Sequence, residues 1–235
     1  MSAVRKATGA QRLRQMHDRL FAAYGAQHWW PAKTSFEVIL GAYLTQNTSW
    51  KAVERSLENL QAAGALTVNG LRALAPEELQ RLIGPSGFYT RKAPALKAFV
   101  TLLDERFGGS LEGMAAAPTA DLRRQLLQLP GVGAETADAI LLYALGHAVP
   151  MADEYLRRVA ERHALLPGAT KKIRYEELAE LTRAAFAGDP TTGQARLYNE
   201  FHALTVAVGK AHCGRAARCE GCPLAEDLRR FSSAG

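Results

Sequence analysis

The segment Leu129-Pro-Gly-Val-Gly-Ala-Glu-Thr-Ala137 and the carboxylate of Asp153 beyond it are the residues whose types and spacing could do chemistry. Pro130 restricts the residue before it and so closes a preceding helix. Gly131 and Gly133 open backbone angles denied to other residues and let another chain come close. A helix that begins near Ala134 then presents N–H groups without intrahelical acceptors, together with the positive end of its dipole. That combination suits a phosphate or any other anion. Asp153 stands in Val149-Pro-Met-Ala-Asp-Glu-Tyr-Leu-Arg-Arg158, where it makes a good N-cap for a helix running from Glu154 to His163. A fixed carboxylate there could also stabilise a developing positive charge or take a proton from water. The plain alternative is a helical corner whose glycines serve packing and an aspartate that only caps.

The elements that must position these groups read as helices nearly throughout. Phe36, Ile39, Leu40, Tyr43 and Leu44 share one helical face, and Thr34 with Glu37 predicts a capping box at its start. Val53, Leu57 and Leu60 mark a second helix. Pro76 suits the first turn of a third, and Leu96, Phe99, Val100, Leu103 and Phe107 mark a fourth. Leu122, Leu126 and Leu129 predict a helix before the glycine pair, and Ala137, Ile140, Leu141, Ala144 and Leu145 one after it. Leu156 and Val159, Leu178 and Leu181, then Leu197, Phe201, Leu204 and Val208 complete the set. Breaks fall at Gly84-Pro-Ser-Gly87, Gly108-Gly109, Pro167-Gly168 and Gly188-Asp-Pro190. With no strand alternation the expected class is all-α.

The chain has 235 residues, 48% of them hydrophobic and 22% charged, enough for a sizeable core. Its net charge of +6 is compatible with a nucleic-acid partner, and equally with an unrelated basic enzyme. No apolar run reaches membrane-spanning length and the N-terminus lacks a signal-peptide core, so a cytoplasmic protein is expected. Cys213, Cys219 and Cys222 lie together near the C-terminus. An odd, clustered set argues for metal or cluster ligation over disulfides.

The glycine-pair segment followed by aspartate resembles the helix-hairpin-helix DNA glycosylases of the endonuclease III superfamily, a likeness that covers roughly Trp29 to Cys222. The resemblance implies that Leu129, Gly131, Val132, Gly133, Glu135 and Thr136 meet the DNA backbone and that Asp153 faces the sugar. Breaking an N-glycosidic bond builds oxocarbenium-like charge that a carboxylate stabilises. Members that also cleave the strand carry a lysine one turn into the second hairpin helix, which forms a Schiff base. Glu135 stands there, and a carboxylate forms no imine. The resemblance therefore implies a monofunctional glycosylase that uses water.

His28-Trp-Trp-Pro31, Leu44-Thr-Gln-Asn-Thr-Ser-Trp50, Pro85-Ser-Gly-Phe-Tyr89 and Tyr198-Asn-Glu-Phe-His202 look like the 3-methyladenine DNA glycosylase III branch. An alkylated purine such as 3-methyladenine is cationic and leaves readily, so a pocket needs flat aromatic faces more than an acid. Trp29, Trp30, Trp50 and Lys210 are the pocket candidates. The target base must leave the stack. Gln46 matches the family's plug for the vacated space, and Phe88 its wedge into the opposite strand. Core packing remains the alternative for each aromatic.

Cys213-x5-Cys219-x2-Cys222 resembles the superfamily's iron–sulfur loop, but its first spacer is one residue short and Leu228 stands at the fourth position. A [4Fe–4S] cluster takes four thiolates. His212 or Asp227 could complete the set. Zinc on three thiolates and a histidine, or no metal, are the alternatives.

The expected architecture is two-lobed and all-α. Residues 27–147 form a helical barrel lobe with the hairpin, and residues 1–26 with 148–235 form a terminal lobe carrying the cysteines, with Asp153 in the cleft. The expected partner is double-stranded DNA with a damaged base, acted on by a monomer. A mismatch glycosylase for adenine, uracil or thymine, or a non-catalytic helix-hairpin-helix binder, are the rivals.

Overall fold

The computed structural model describes residues 7–29, 32–166, 172–188 and 193–231, with side chains as far as 228. Its helices run α1 (Gly9–Tyr24), α2 (Ser35–Leu44), α3 (Trp50–Ala62), α4 (Val68–Ala73), α5 (Pro76–Leu82), α6 (Tyr89–Phe107), α7 (Leu111–Ala115), α8 (Thr119–Leu126), α9 (Ala134–Ala139), α10 (Glu154–Arg162), α11 (Tyr175–Ala185), α12 (Gln194–Ala211) and α13 (Ala225–Phe231). The only β-pairing among the described residues is an isolated bridge from Cys213 to Ala217. The fold is all-α. Two compact units divide the chain: Met1–Trp29 with Pro150–Gly235, and Trp30–Val149.

In the central unit, α2 packs on α3 and α6, and α4 and α5 also pack on α6. Its core holds Ile39, Leu40, Leu44, Leu96 and Leu103, with Tyr43 and Phe99 meeting edge to face at 6.2 Å. Thr34 caps α2 by accepting the Glu37 N–H at 3.1 Å. The expected capping box is only half made, because the Glu37 carboxylate accepts from Lys33 N–H at 2.9 Å instead of from the cap residue. The helix before the glycine pair stops at Leu126 and not at Leu129. Its chain tightens into i→i−3 bonds, Gln128 N–H to Gln125 and Leu129 N–H to Leu126, as helix ends do where the next turn cannot continue. Beyond α9 the helix widens into a π turn over Ile140–Ala144, and Leu145 N–H bonds back to Ile140 at 3.2 Å.

In the terminal unit, α1 packs on α11 and α12, and α10 on α12 and α11. Phe186 and Phe201 lie 4.9 Å apart among Leu13, Met16, Leu20, Leu204 and Val208. A buried ionic cluster ties both ends of the chain to α10. Asp227 on α13 accepts from Arg12 Nε at 3.0 Å and Nη2 at 2.6 Å, and pairs with His163 Nδ1 at 2.8 Å. Arg12 also donates to the His163 carbonyl at 2.7 Å. Burial pushes the Asp227 carboxyl up, but hydrogen bonds from His163 and Arg12 and their charge outweigh it, so its pKa lies below the usual value.

A carboxyl group with a lowered folded-state pKa adds stability above its unfolded pKa and loses it as pH falls through the folded one. Asp227→Asn strands the Arg12 charge and is expected to cost about 3–5 kcal/mol at neutral pH. Thermal melts from pH 7 down to pH 3 should show the wild type converging toward the variant as Asp227 protonates. A constant gap across that range would show that the carboxylate charge is not what stabilises this cluster.

Candidate functional site

Two sets of side chains carry the chemistry, one in each unit. In the central unit α8, the turn Leu127–Gly133 and α9 form the hairpin. Gly131 has φ +74°, which only glycine takes without strain. Gly131, Gly133 and Glu135 are exposed and Leu129 is half-buried, whereas the side chains of Val132 and Thr136 pack inward. The turn's backbone is thus what faces outward, with Gly133 as an N-cap lacking a side chain. The two hairpin helices are clamped by Arg123, whose Nε and Nη2 donate to the buried Asp138 at 2.7 and 3.0 Å.

Gln46 lies in the loop after α2, where its amide Nε2 donates to the Gly131 carbonyl and to Thr136 Oγ1, both at 3.0 Å. This fastens the loop to the hairpin. The next residue, Asn47, is exposed with φ +52° and forms the tip. Phe88 is 58% exposed and also left-handed, at φ +49°. A bulky residue held open to solvent on a strained backbone serves something other than the core. Gln46, Asn47 and Phe88 share the wall of one cavity of about 220 Å³ with Tyr43, Arg91 and Gly131.

No local pattern marks the group that joins these loops. Lys92 on α6 is buried at 5% exposure, and its ammonium donates to the Leu44 carbonyl at 2.8 Å, Thr48 Oγ1 at 2.8 Å and the Ser86 carbonyl at 2.9 Å. Burial lowers its pKa. One amine therefore fixes the end of α2, the Gln46 loop and the Phe88 turn. Trp50 begins α3 just beyond, half-buried.

In the terminal unit Asp153 is the N-cap of α10. Its Oδ1 accepts the Leu156 N–H at 2.8 Å, and its side chain is 10% exposed. The other oxygen, Oδ2, lies 3.5 Å from Nε2 of the buried His202 on α12. No arginine or lysine pairs with it among the described residues. Asp138 and Asp227, the other two well-buried aspartates, each sit in an arginine fork. Trp29 is half-buried, with the Lys210 ammonium 5.6 Å from its ring centre. Trp30 lies outside the described residues.

Cys213 is buried, Cys222 half-buried and Cys219 exposed. All three line a cavity of about 180 Å³ with His212 and Leu228. Burial pushes the Cys222 thiol up, and the charge of Cys213 and Cys219 adds to this, so the three sulfurs share one field. Arg162 pins the loop, donating to Cys213 Sγ at 2.9 Å and to the Gly214 and Arg215 carbonyls at 2.8 Å each. Asp227 is not an available ligand, because its oxygens are held by Arg12 and His163. His212 Nδ1 bonds the Arg218 carbonyl at 3.0 Å. Nδ1 must be the donor there, which leaves Nε2 as the metal-binding nitrogen. Among the described residues no three His, Cys, Asp or Glu side chains stand close enough to hold a single metal ion. The three thiols and the His212 imidazole are thus donors that line this one cavity.

The profile of the HhH-GPD superfamily of base excision DNA repair proteins matches residues 40–184. A Methanocaldococcus jannaschii protein, provisionally named a DNA repair glycosylase, is 39% identical over 90% of this chain and 93% of its own length. The crystal structure of Helicobacter pylori 3-methyladenine DNA glycosylase bound to 1,N6-ethenoadenine matches with a TM-score of 0.72 at 29% identity, covering 87% of this chain and 98% of that one. A trapped endonuclease III–DNA covalent intermediate shares the fold, with a TM-score of 0.73 at 21% identity over 94% of this chain and 98% of that one.

Lys92 and Phe88 should respond oppositely to substitution. Lys92→Met takes the ammonium donor from the buried Leu44 carbonyl and from Thr48 Oγ1, leaves the Ser86 carbonyl with Thr48 Oγ1 as its donor, and is expected to cost about 3 kcal/mol. Phe88→Gly relieves a left-handed backbone that costs other residues about 1–2 kcal/mol, so the melting temperature should hold or rise slightly. A large fall for Phe88→Gly would make Phe88 a packing residue.

Proposed function

The chain belongs to the HhH-GPD superfamily of base excision DNA repair proteins, and from that premise we propose that it is a DNA glycosylase that hydrolyses alkylated purines, of the 3-methyladenine kind, from DNA. The observation that carries this reading is the state of Asp153. It is a nearly buried carboxylate with one oxygen fixed by Leu156 N–H and no guanidinium or ammonium partner among the described residues. Its charge is left to act on something else.

In this reading the hairpin's outward backbone, at Gly131 and Gly133, holds a phosphate of damaged duplex DNA. Phe88 enters the stack, and Gln46 fills the place of the extruded nucleotide once its amide lets go of Gly131 and Thr136. The flat purine stacks on tryptophan, with Trp29, Trp30 and Trp50 as the candidates. The Trp29 face can take a cation, since the Lys210 ammonium stands 5.6 Å from its centre, and a cationic base stacking there displaces that ammonium. The C1′–N bond then breaks and its electron pair leaves on the purine. Asp153 stabilises the sugar cation as water adds to C1′, and it accepts the proton that water gives up. Glu135 stands where an imine-forming lysine would be needed, so the product is an abasic site in an unbroken strand. The Helicobacter pylori enzyme's ethenoadenine is likewise a purine carrying an added carbon bridge, which supports the substrate class.

The same reading assigns a [4Fe–4S] cluster to Cys213, Cys219 and Cys222, with His212 as the fourth donor. The cluster would supply no step of the hydrolysis. It would hold the basic loop of Lys210, Arg215 and Arg218 toward the phosphates.

The test is a panel of duplexes containing methylated purines, ethenoadenine, uracil, adenine opposite 8-oxoguanine, and thymine opposite guanine. Free methyladenine without strand nicking is expected, with no covalent product on borohydride treatment. Asp153→Asn should slow release by about a hundredfold or more with DNA binding retained. Release from mismatches alone would replace the substrate class, and an unaffected Asp153→Asn would remove the mechanism. The purified protein should be brown and contain iron and sulfide, both lost in His212→Ala. Zinc, or no metal, would overturn the cluster assignment.

A further inference from the structure

His202 has no part in the reaction as described, yet its imidazole stands beside the second oxygen of Asp153. Its Nε2 lies 3.5 Å from Oδ2, and both side chains are almost closed off, at 6% and 10% exposure. The approach is built into the packing of α10 on α12. Gly209 lies two turns beyond His202 on the same face of α12. There the Tyr155 ring fills the space of the missing side chain: a Cβ on Gly209 would come within 2.1 Å of that ring. The absence of a side chain at Gly209 lets α10 settle against α12, and this brings the cap residue Asp153 down onto the imidazole.

We propose that His202 is a positioning residue for Asp153: its Nε2–H holds Oδ2 so that the carboxylate presents a lone pair to C1′ and to the incoming water. This rests on the proposed glycosylase reading. The Leu156 N–H fixes Oδ1, which alone leaves the carboxylate free to rotate about that bond. A second donor on the other oxygen removes that freedom. At 3.5 Å the contact is longer than a formed hydrogen bond, as is common for catalytic contacts before substrate binds and draws them in. Histidine supplies a single directional N–H, where the arginine forks on Asp138 and Asp227 bind both oxygens of their carboxylates. The chemistry is unchanged: the C1′–N pair leaves on the base, water oxygen bonds C1′, and water's proton goes to Asp153.

Single-turnover release of methyladenine from dimethyl sulfate-methylated duplex tests this, with DNA affinity and melting temperature measured alongside. His202→Leu should slow the release step about ten- to a hundredfold, the scale of a misaligned reacting group, with DNA affinity unchanged. His202→Gln, whose amide nitrogen reaches a similar place, should recover most of the rate. In an Asp153→Asn background His202→Leu should add nothing further. The proposal is overturned if Leu and Gln behave alike, if the loss is in DNA affinity, or if the effect persists without Asp153. A wild type that releases no base from any duplex overturns the glycosylase reading and this inference with it. A wild type matched in rate by His202→Leu overturns this inference alone.

Discussion

A single buried ammonium holds the outward-facing apparatus of the central unit together. Lys92 gives its three protons to acceptors on three separate stretches of chain: the last turn of α2, the loop after it, and the short turn before α6. None of these acceptors is a carboxylate. The charge is satisfied by carbonyl and hydroxyl dipoles, whose directions fix where the loops lie. Gln46 extends the same network to the hairpin through Gly131 and Thr136. The left-handed residues Asn47 and Phe88 are therefore anchored on both sides, and the strain of Phe88 is held in place by groups that cannot relax without exposing the amine.

Asp138 and Asp227, both buried, and the nearly buried Asp153 show how environment sets what one residue type is held by. Asp138 clamps the hairpin helices and Asp227 joins the chain's two ends, each neutralised by a bidentate guanidinium. Asp153 receives a backbone N–H and an imidazole neighbour instead. A fork both binds and quenches a carboxylate. A cap binds one oxygen and leaves most of the charge available, which is what the role proposed for Asp153 requires.

What could be read from the sequence follows the range of the interaction. The cap at Asp153, the proline at the start of α5 and the glycine turn before α9 are local signals, and the structure has them where the residues predict. Spacing assigns Leu129 to a helix, but ahead of Pro130 that helix closes at Leu126. Glu37 shows the same limit, since spacing brought it to the cap but not to the right N–H. Lys92, Arg123 and Arg12 were invisible for another reason. Arg12 and Asp227 are 215 residues apart, and nothing local distinguishes a lysine or arginine that turns inward from one that stays in water. Trp29 and Lys210 are singled out through resemblance, and the cysteines by their odd count and clustering as well. Their contacts, including the one that withdraws Asp227 from the cysteine cavity, came only from the three-dimensional arrangement.

The π turn over Ile140–Ala144 carries a consequence for how this chain tolerates change. Each residue of a helix turns the chain by about 100°, and a π turn accommodates one extra residue within an otherwise regular rod. Removing one residue here would restore ordinary winding with the outgoing chain from Leu145 to Val149 still in phase, whereas removing one from the regular turns of α9 would rotate that chain by about that angle. The bulge is thus a point of slack in the phase of the helix. Length changes in the regular turns are constrained by the heading of the chain as it leaves the helix, and a change at the bulge escapes that constraint.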